Sequence, residues 1–369
     1  MNRDKVSAGQ MLSMMMLFEM GTALVVNIGI EARKDAWISI FIAMVGGAML
    51  FFGYGTLAKW YPRDPLTVYA RILLGRFLGT MVGVMYLIYF MYIAGRNVRD
   101  ATNLIAISTL PHTPFLVISI FMILIVIYVL HHGIEVLART ALVFMAVMLG
   151  IGILSNSLLV ASGSLELERI LPVLQQGWGP IWRGVFQETL VFPFGEMICF
   201  TMLIPFMASP DKGRRLGILA IILSGLVLSD TTVMNIATLG YNIVEGSVFP
   251  LLTTIGKVQV SEFIQRLDVL VLMTLMIGAF FKISLFYCAA LLAASDIFRI
   301  PYKKLLFPMG FIVLIWSFIM AESFVKHLQF GKLAILYVHP LFVYLFPFLL
   351  LIAGLLRRRR ERRGRRNQA

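Results

Sequence analysis

Long apolar runs separated by short polar breaks repeat along the whole chain. Each approaches or exceeds the roughly 18 residues that mark a membrane-crossing helix. We read ten, at about 8–30, 36–58, 79–107, 115–130, 139–161, 184–207, 214–241, 268–295, 305–322 and 334–356, of which the fourth and ninth are short. Hydrocarbon offers the backbone no hydrogen bonds. Runs of this length therefore predict helices, which satisfy their own backbone, and not barrel strands. The fold class expected is an all-α membrane protein of about ten transmembrane helices.

Composition narrows this further. Of 369 residues, 59% are hydrophobic and 14% charged, against about 25% charged in soluble domains. One soluble core could not hide that much apolar surface. The first run is longer than a signal core and no small-residue cleavage site follows it, so it reads as the first span. Cys199 and Cys288 both lie inside apolar runs and imply neither a disulfide framework nor a metal site. The net charge of +13 sits in short loops and in one tail, so nucleic acid is not an expected partner. With the N-terminus inside, 21 Lys and Arg fall in inside segments and 8 in outside loops. That bias predicts both termini on the cytoplasmic side. The organisation expected is one transmembrane domain over 1–356 and a basic tail over 357–369. The tail reads RRRRERRGRR from Arg357. A stop-transfer anchor explains it, and membrane lipid with anionic headgroups would attract it.

Two spans are interrupted near their centres. The first reads FEMGT at Phe18–Thr22, and the sixth reads VFPFGEM at Val191–Met197. The two would run in opposite directions. A long loop follows span 2 (about 59–78) and another follows span 7 (about 242–267). The halves 8–161 and 184–356 therefore read as inverted repeats, and matching broken helices point to a transporter-type site. A half-helix starting after Gly21 would aim N–H groups at an anion, such as an amino acid's carboxylate. Carbonyls freed near Phe194 and Gly195, with Glu196, suit an ammonium group.

Charge at the membrane centre is the sharpest chemical signal. Glu19 and Glu196 are central in their spans. Lys282 lies about fourteen residues, or roughly 20 Å of helix, from either end of span 8. A lone charge there costs about 2.5–3.5 kcal/mol or more. Lys282 is therefore expected to pair with Glu19, Glu196 or Asp230, either as a structural pair or for proton coupling or ligand contact. Arg96, Arg99 and Asp100, in the outer part of span 3, either pair locally or line a vestibule. His131–His132 reads as a helix end and the many methionines as packing. The chain carries no HExxH, P-loop or nucleophile elbow. No enzyme activity, cofactor or metal is expected.

Several stretches carry a resemblance. They are LPHTP at Leu110–Pro114, LPVLQQG at Leu171–Gly177, FPFGEM at Phe192–Met197 followed by Pro205, VFPLL at Val248–Leu252, SEFIQRLD at Ser261–Asp268 and FFK at Phe280–Lys282. In order and spacing they resemble the B subunit of the spore germinant receptor, the endospore germination permease family. The likeness covers the ten spans and leaves out the basic tail. That family belongs to the amino acid/polyamine/organocation transporter superfamily. The resemblance implies a LeuT-like arrangement of five plus five inverted helices with helices 1 and 6 broken. It implies a ligand site at Glu19, Met20, Gly21 and Thr22, completed by Phe194, Gly195 and Glu196. Tyr89 and Tyr92 on span 3, and Thr274 and Lys282 on span 8, are walls assigned by depth. The charge network expected is Glu19, Glu196, Asp230 and Lys282. The implied role is sensing a small nutrient, often an amino acid, in the inner membrane of a bacterial spore. The implied partners are a receptor A subunit and a C-subunit lipoprotein. A proton-coupled amino-acid transporter, or a water or ion conduit opened by ligand, would use the same pocket.

Overall fold

A computed structural model of the chain describes residues 5–257, 268–320 and 323–366. Among these residues the regular structure is helical, apart from one isolated bridge between Val6 and Met207. The motif SEFIQRLD at 261–268 lies outside the described residues except for the backbone of its last position.

In chain order the α-helices are α1 (Ala8–Met20), α2 (Ala36–Trp60), α3 (Leu66–Leu74), α4 (Arg76–Ser108), α5 (Phe115–His131), α6 (Ile134–Ala161) and α7 (Trp178–Gly184). There follow α8 (Gly213–Leu239), α9 (Tyr241–Gly246), α10 (Pro250–Gly256), α11 (Asp268–Phe298), α12 (Tyr302–Ile319), α13 (Phe324–Leu333) and α14 (Phe346–Arg366). Among the described residues, seven helical stretches are long and apolar enough to cross a membrane. Three of the ten expected spans fall outside that set. The fourth is α5, apolar but only 17 residues long. The first and sixth are irregular, because glycine and proline interrupt them. The tenth is longer than the apolar run suggested, with one stretch covering Phe324–Glu361.

Local sequence explains the ends. Ser7 and Gln10 form a reciprocal cap on α1: the Gln10 N–H donates to the Ser7 hydroxyl, and the Ser7 N–H donates to Gln10 Oε1. Gly133, at φ 105°, makes the sharp reversal between α5 and α6 that a side chain would resist.

The core is built on two long pairings, α2 along α8 and α4 along α11. α1 lies between α6 and α8 and touches α11. Small residues permit the close approach: a Cβ on Gly217 would stand 1.9 Å from the Phe51 ring, and one on Gly225 would stand 2.5 Å from Met44. Large apolar side chains such as Phe121, Ile153 and Phe311 remain exposed on the outer helices, as a lipid-facing surface requires.

Contacts between distant segments sort into two ends of the bundle. At one end, Val6 pairs with the 206–208 backbone, Arg71 binds Asp296, the Arg358 guanidinium covers Trp60, and Arg357 donates to the Ile72 carbonyl. At the other, Asn27 donates to the carbonyls of Val244 and Ser247, Asp35 accepts from the Leu174 N–H, and Arg169 donates to the Thr238 carbonyl.

Candidate functional site

α1 stops at Gly21, whose N–H closes the last turn on the Leu17 carbonyl at 2.9 Å. The chain continues as a short 3-10 turn, Thr22–Leu24, in which the Thr22 carbonyl accepts from both Val25 and Val26. Gly21 is in tight contact: a Cβ there would sit 2.9 Å from the Phe18 carbonyl oxygen and 3.2 Å from Lys282 Cδ. The opposing residue is Gly278 of α11, where a Cβ would meet the Gly21 Cα at 2.7 Å. Two backbones thus cross with no side chain between them. Lys282 lies one helical turn beyond Gly278 and Thr274 one turn before it, on the same face of α11.

The other wall comes from the sixth segment. After α7 the chain makes a wide π turn at Val185–Thr189, passes a cis Phe192–Pro193 bond and forms a 3-10 helix over Phe194–Met202. This puts Glu196 in the first turn of that helix, facing α11. Lys282 Nζ stands 2.8 Å from Glu196 Oε2, with the two side chains 0% and 3% exposed. The approach is oblique, so the contact is an ion pair more than a straight hydrogen bond. The ammonium also lies 4.1 Å from the Phe192 ring centroid and 5.4 Å from that of Phe18, so aromatic faces replace part of its hydration. Glu19 is fully buried, and neither of its carboxylate oxygens has a hydrogen-bond partner among the described residues. The centre therefore holds two carboxylates and one ammonium.

His339 completes the cluster. Its Nδ1 lies 3.7 Å from Glu196 Oε1 and 3.2 Å from the Tyr89 hydroxyl. Tyr89 in turn stacks on Phe342 at 4.1 Å. Span 10 is irregular here, with π turns at Ala334–Val338 and Leu341–Leu345 on either side of His339–Pro340. Pro347 has no N–H to offer the carbonyls one turn earlier. Buried tyrosines supply the missing donors: the Tyr86 hydroxyl donates to the Phe342 carbonyl at 2.7 Å and the Tyr54 hydroxyl to the Val343 carbonyl at 2.5 Å.

The structure brings Glu19, Gly21, Glu196, Lys282 and Tyr89 together and moves other expected residues away. Asp230 is not in the network. It is exposed on α8, continuing the outward row of Leu219, Ile222, Leu223 and Leu226, and it accepts from Asn156 Nδ2 at 3.0 Å. Tyr92 lies one turn beyond Tyr89 on α4, about 4.5 Å further along the helix, and lines a separate cleft with Arg96 and Tyr337. Phe194 is rooted against α2, its Cβ 2.5 Å from where a Cβ on Gly47 would be. Gly195 packs under Val343, and Met20 and Thr22 are buried beside the break. Thr274 donates to its own helix at the Leu270 carbonyl. The residues that sequence reasoning missed are Gly278, His339, Phe18, Phe192 and Phe342. Phe18 and Phe192 open the interrupting motifs FEMGT and FPFGEM, and His339–Pro340 sets a polar residue and a helix breaker inside an apolar run; Gly278 and Phe342 carried no visible signal.

A second polar cluster sits toward the α13 end of α4. Asp100 binds His327 Nε2 at 2.7 Å, and Arg99 donates to the carbonyls of Ser317 and Phe318. Asp100 thus pairs with His327 and not with an arginine, while Arg99 binds backbone carbonyls and Arg96 lines a cleft.

The model of the spore germination protein (spore permease) family matches residues 5–324. The chain belongs to this family. It is 33% identical to spore germination protein KB of Bacillus subtilis (strain 168) over 371 aligned residues, covering all of both chains. It is 20% identical to spore germination protein XB of Bacillus anthracis over 74% of each. Among solved structures it resembles Mhp1, a nucleobase-cation-symport-1 family transporter, in a closed conformation with bromovinylhydantoin bound. The TM-score is 0.66 at 12% identity, over 90% of this chain and 76% of that one. A likeness at that identity establishes a shared fold. The spore germination family member described here is thus a helical membrane protein with a transporter's fold.

Proposed function

We propose that the chain is the nutrient-sensing membrane subunit of a spore germinant receptor, and that it binds a small zwitterion, such as an amino acid, at the Glu196–Lys282 pair. The observation that carries this reading is that pair, buried between the end of α1 and the start of the Phe194–Met202 helix. A zwitterion enters by substitution: its ammonium takes Glu196 and its carboxylate takes Lys282. Glu196, Lys282 and both ends of the ligand then each have a partner. A ligand with one charge would strand the other residue, and breaking a buried pair costs about 3–5 kcal/mol. Bound ligand biases the bundle to the extent that it prefers one of two states.

The same reading takes the segments ending at Gly21 and starting near Phe194 as broken helices 1 and 6 of ten crossings. In an inverted five-plus-five repeat helices 2 and 7 are mates, as are 3 and 8, and mates that lie beside the two-fold axis touch each other. The extensive α2–α8 and α4–α11 pairings support this, as does the sorting of loop contacts to two ends. The end carrying Trp60, Arg71 and the tail is the cytoplasmic side, in the spore inner membrane. An A subunit and a C-subunit lipoprotein read the conformational change. A proton-coupled transporter is the second reading, favoured by Glu19, whose unpartnered oxygens suit a proton site.

The test is thermal stabilisation of the purified full-length protein by amino acids, their amides and their N-acetyl forms. Stabilisation by zwitterions that either blocked form loses supports the site. Equal stabilisation by the amides removes Lys282 from the reading. Gradient-driven accumulation of the same amino acids in proteoliposomes would favour the transporter.

A further inference from the structure

Between α4, the end of α12 and α13 lies a cleft of about 460 Å³ that is separate from the central cluster. Its size is in the range of small-molecule sites. Tyr92, Met320, Phe330, Leu333 and Tyr337 line it, and one cation, Arg96, stands at its edge. Phe330, Leu333 and Tyr337 are exposed side chains in a membrane-spanning stretch, so the mouth opens to lipid.

Arg96 is unusual in its surroundings. Its guanidinium lies against α13 where Gly331 leaves room, with Nη2 2.4 Å from the position of a Cβ. Its one hydrogen bond among the described residues is a long one, 3.5 Å to the His327 carbonyl. Asp100, one turn away, is engaged by His327, and Arg99 is held by two carbonyls. Two arginines against one aspartate leave an excess of positive charge beside an apolar cleft.

Depth and direction then identify the occupant. Arg96 lies seven residues beyond Tyr89, about 10 Å of helix from the central cluster, close to the edge of the hydrocarbon layer. From there the cleft runs past Tyr92 and Leu333 to Tyr337, toward the membrane centre. The cation is outermost and the apolar groove points inward, as a lipid lies in a leaflet. We infer that this cleft is a binding site for an anionic phospholipid, its phosphate on Arg96 and an acyl chain in the groove. The groove wall includes Ala334, Tyr337 and Val338 of the π turn that directly precedes His339. Occupancy therefore bears on the helix that touches Glu196 and Tyr89.

The test uses the full-length protein in phosphatidylcholine vesicles doped with phosphatidylglycerol that carries a photoactivatable acyl chain. After illumination, labelled peptides are mapped. Label is expected to concentrate on 330–338 and on the Tyr92–Arg96 turn, at least fivefold above that from an equally doped phosphatidylcholine probe. It should fall at least fivefold in Arg96→Gln and in the groove-filling Leu333→Trp, and stay within twofold in Arg96→Lys. Leu333→Trp keeps the test decisive if Arg96→Gln does not fold. Label spread evenly over the lipid-facing helices, or independent of headgroup, or undiminished in both Arg96→Gln and Leu333→Trp, would overturn the inference. Displacement by millimolar inorganic phosphate would also overturn it, and would assign the site to a soluble anion.

Discussion

Replacing Lys282 with methionine removes the ammonium and keeps the length of the side chain. In the native protein the charges lie 2.8 Å apart and are almost fully buried. At an effective dielectric constant of 20 their attraction is about 6 kcal/mol. Desolvation, several kcal/mol for each ion, cancels most of that, so the intact pair adds little net stability. The single substitution is different, because Glu196 keeps its burial cost and loses its compensation. The expected loss in Lys282→Met is about 3–5 kcal/mol, which is roughly 6–10 °C in Tm at about 2 °C per kcal/mol. Adding Glu196→Gln removes the stranded carboxylate and should recover at least about 2 kcal/mol of the loss. Glu196→Gln alone should cost less than Lys282→Met, because Lys282 retains Phe192, Phe18 and nearby Glu19. Thermal unfolding of the four proteins in one detergent, followed by loss of the monodisperse peak, measures the cycle. A double variant destabilised by the sum of the two singles would show the groups to be independent and refute the pairing argument.

Other contacts yield separate tests. Gly278→Val forces a branched side chain into a backbone contact of 2.7 Å. It should cost about 1–3 kcal/mol and abolish the germinant response in spores that still accumulate the protein, whereas Gly150→Ala, with nothing within 4 Å, should leave the dose response unchanged. Asp230→Asn should shift the germinant dose response by less than about twofold, since the carboxylate is outside the cluster and keeps a polar partner in Asn156; a loss matching that of Glu196→Gln would return Asp230 to the site. Tyr86→Phe leaves the Phe342 carbonyl without its donor and should cost about 1–3 kcal/mol. Thermal unfolding should show a smaller effect of that change in a Pro347→Ala background, where a backbone N–H is restored.

What could be read without the structure is depth. A charge in an apolar run carries an insertion cost set by its distance from the ends, and that distance is a count of residues. Glu19, Glu196 and Lys282 read as central in this way; the structure pairs Lys282 with Glu196 and buries Glu19 without a hydrogen-bond partner among the described residues. Gly21 and Pro193–Gly195 were legible as interruptions for a similar reason: each changes the backbone at its own position. Azimuth was not legible. In a soluble helix the polar face marks the solvent side; in a membrane helix both the lipid side and the core side are apolar. Asp230 therefore looked as central as Lys282, although its helix turns it outward beside Leu226. Tyr92 looked as good as Tyr89, although one turn along α4 carries it out of reach of His339 and into the cleft of Arg96. Gly278 is one small residue in an apolar stretch, and its role exists only because another backbone crosses it. The chain alone determined which residues lie at the level of the site. Helix packing decided which of them face one another, because that depends on side chains from segments more than eighty residues apart in the chain.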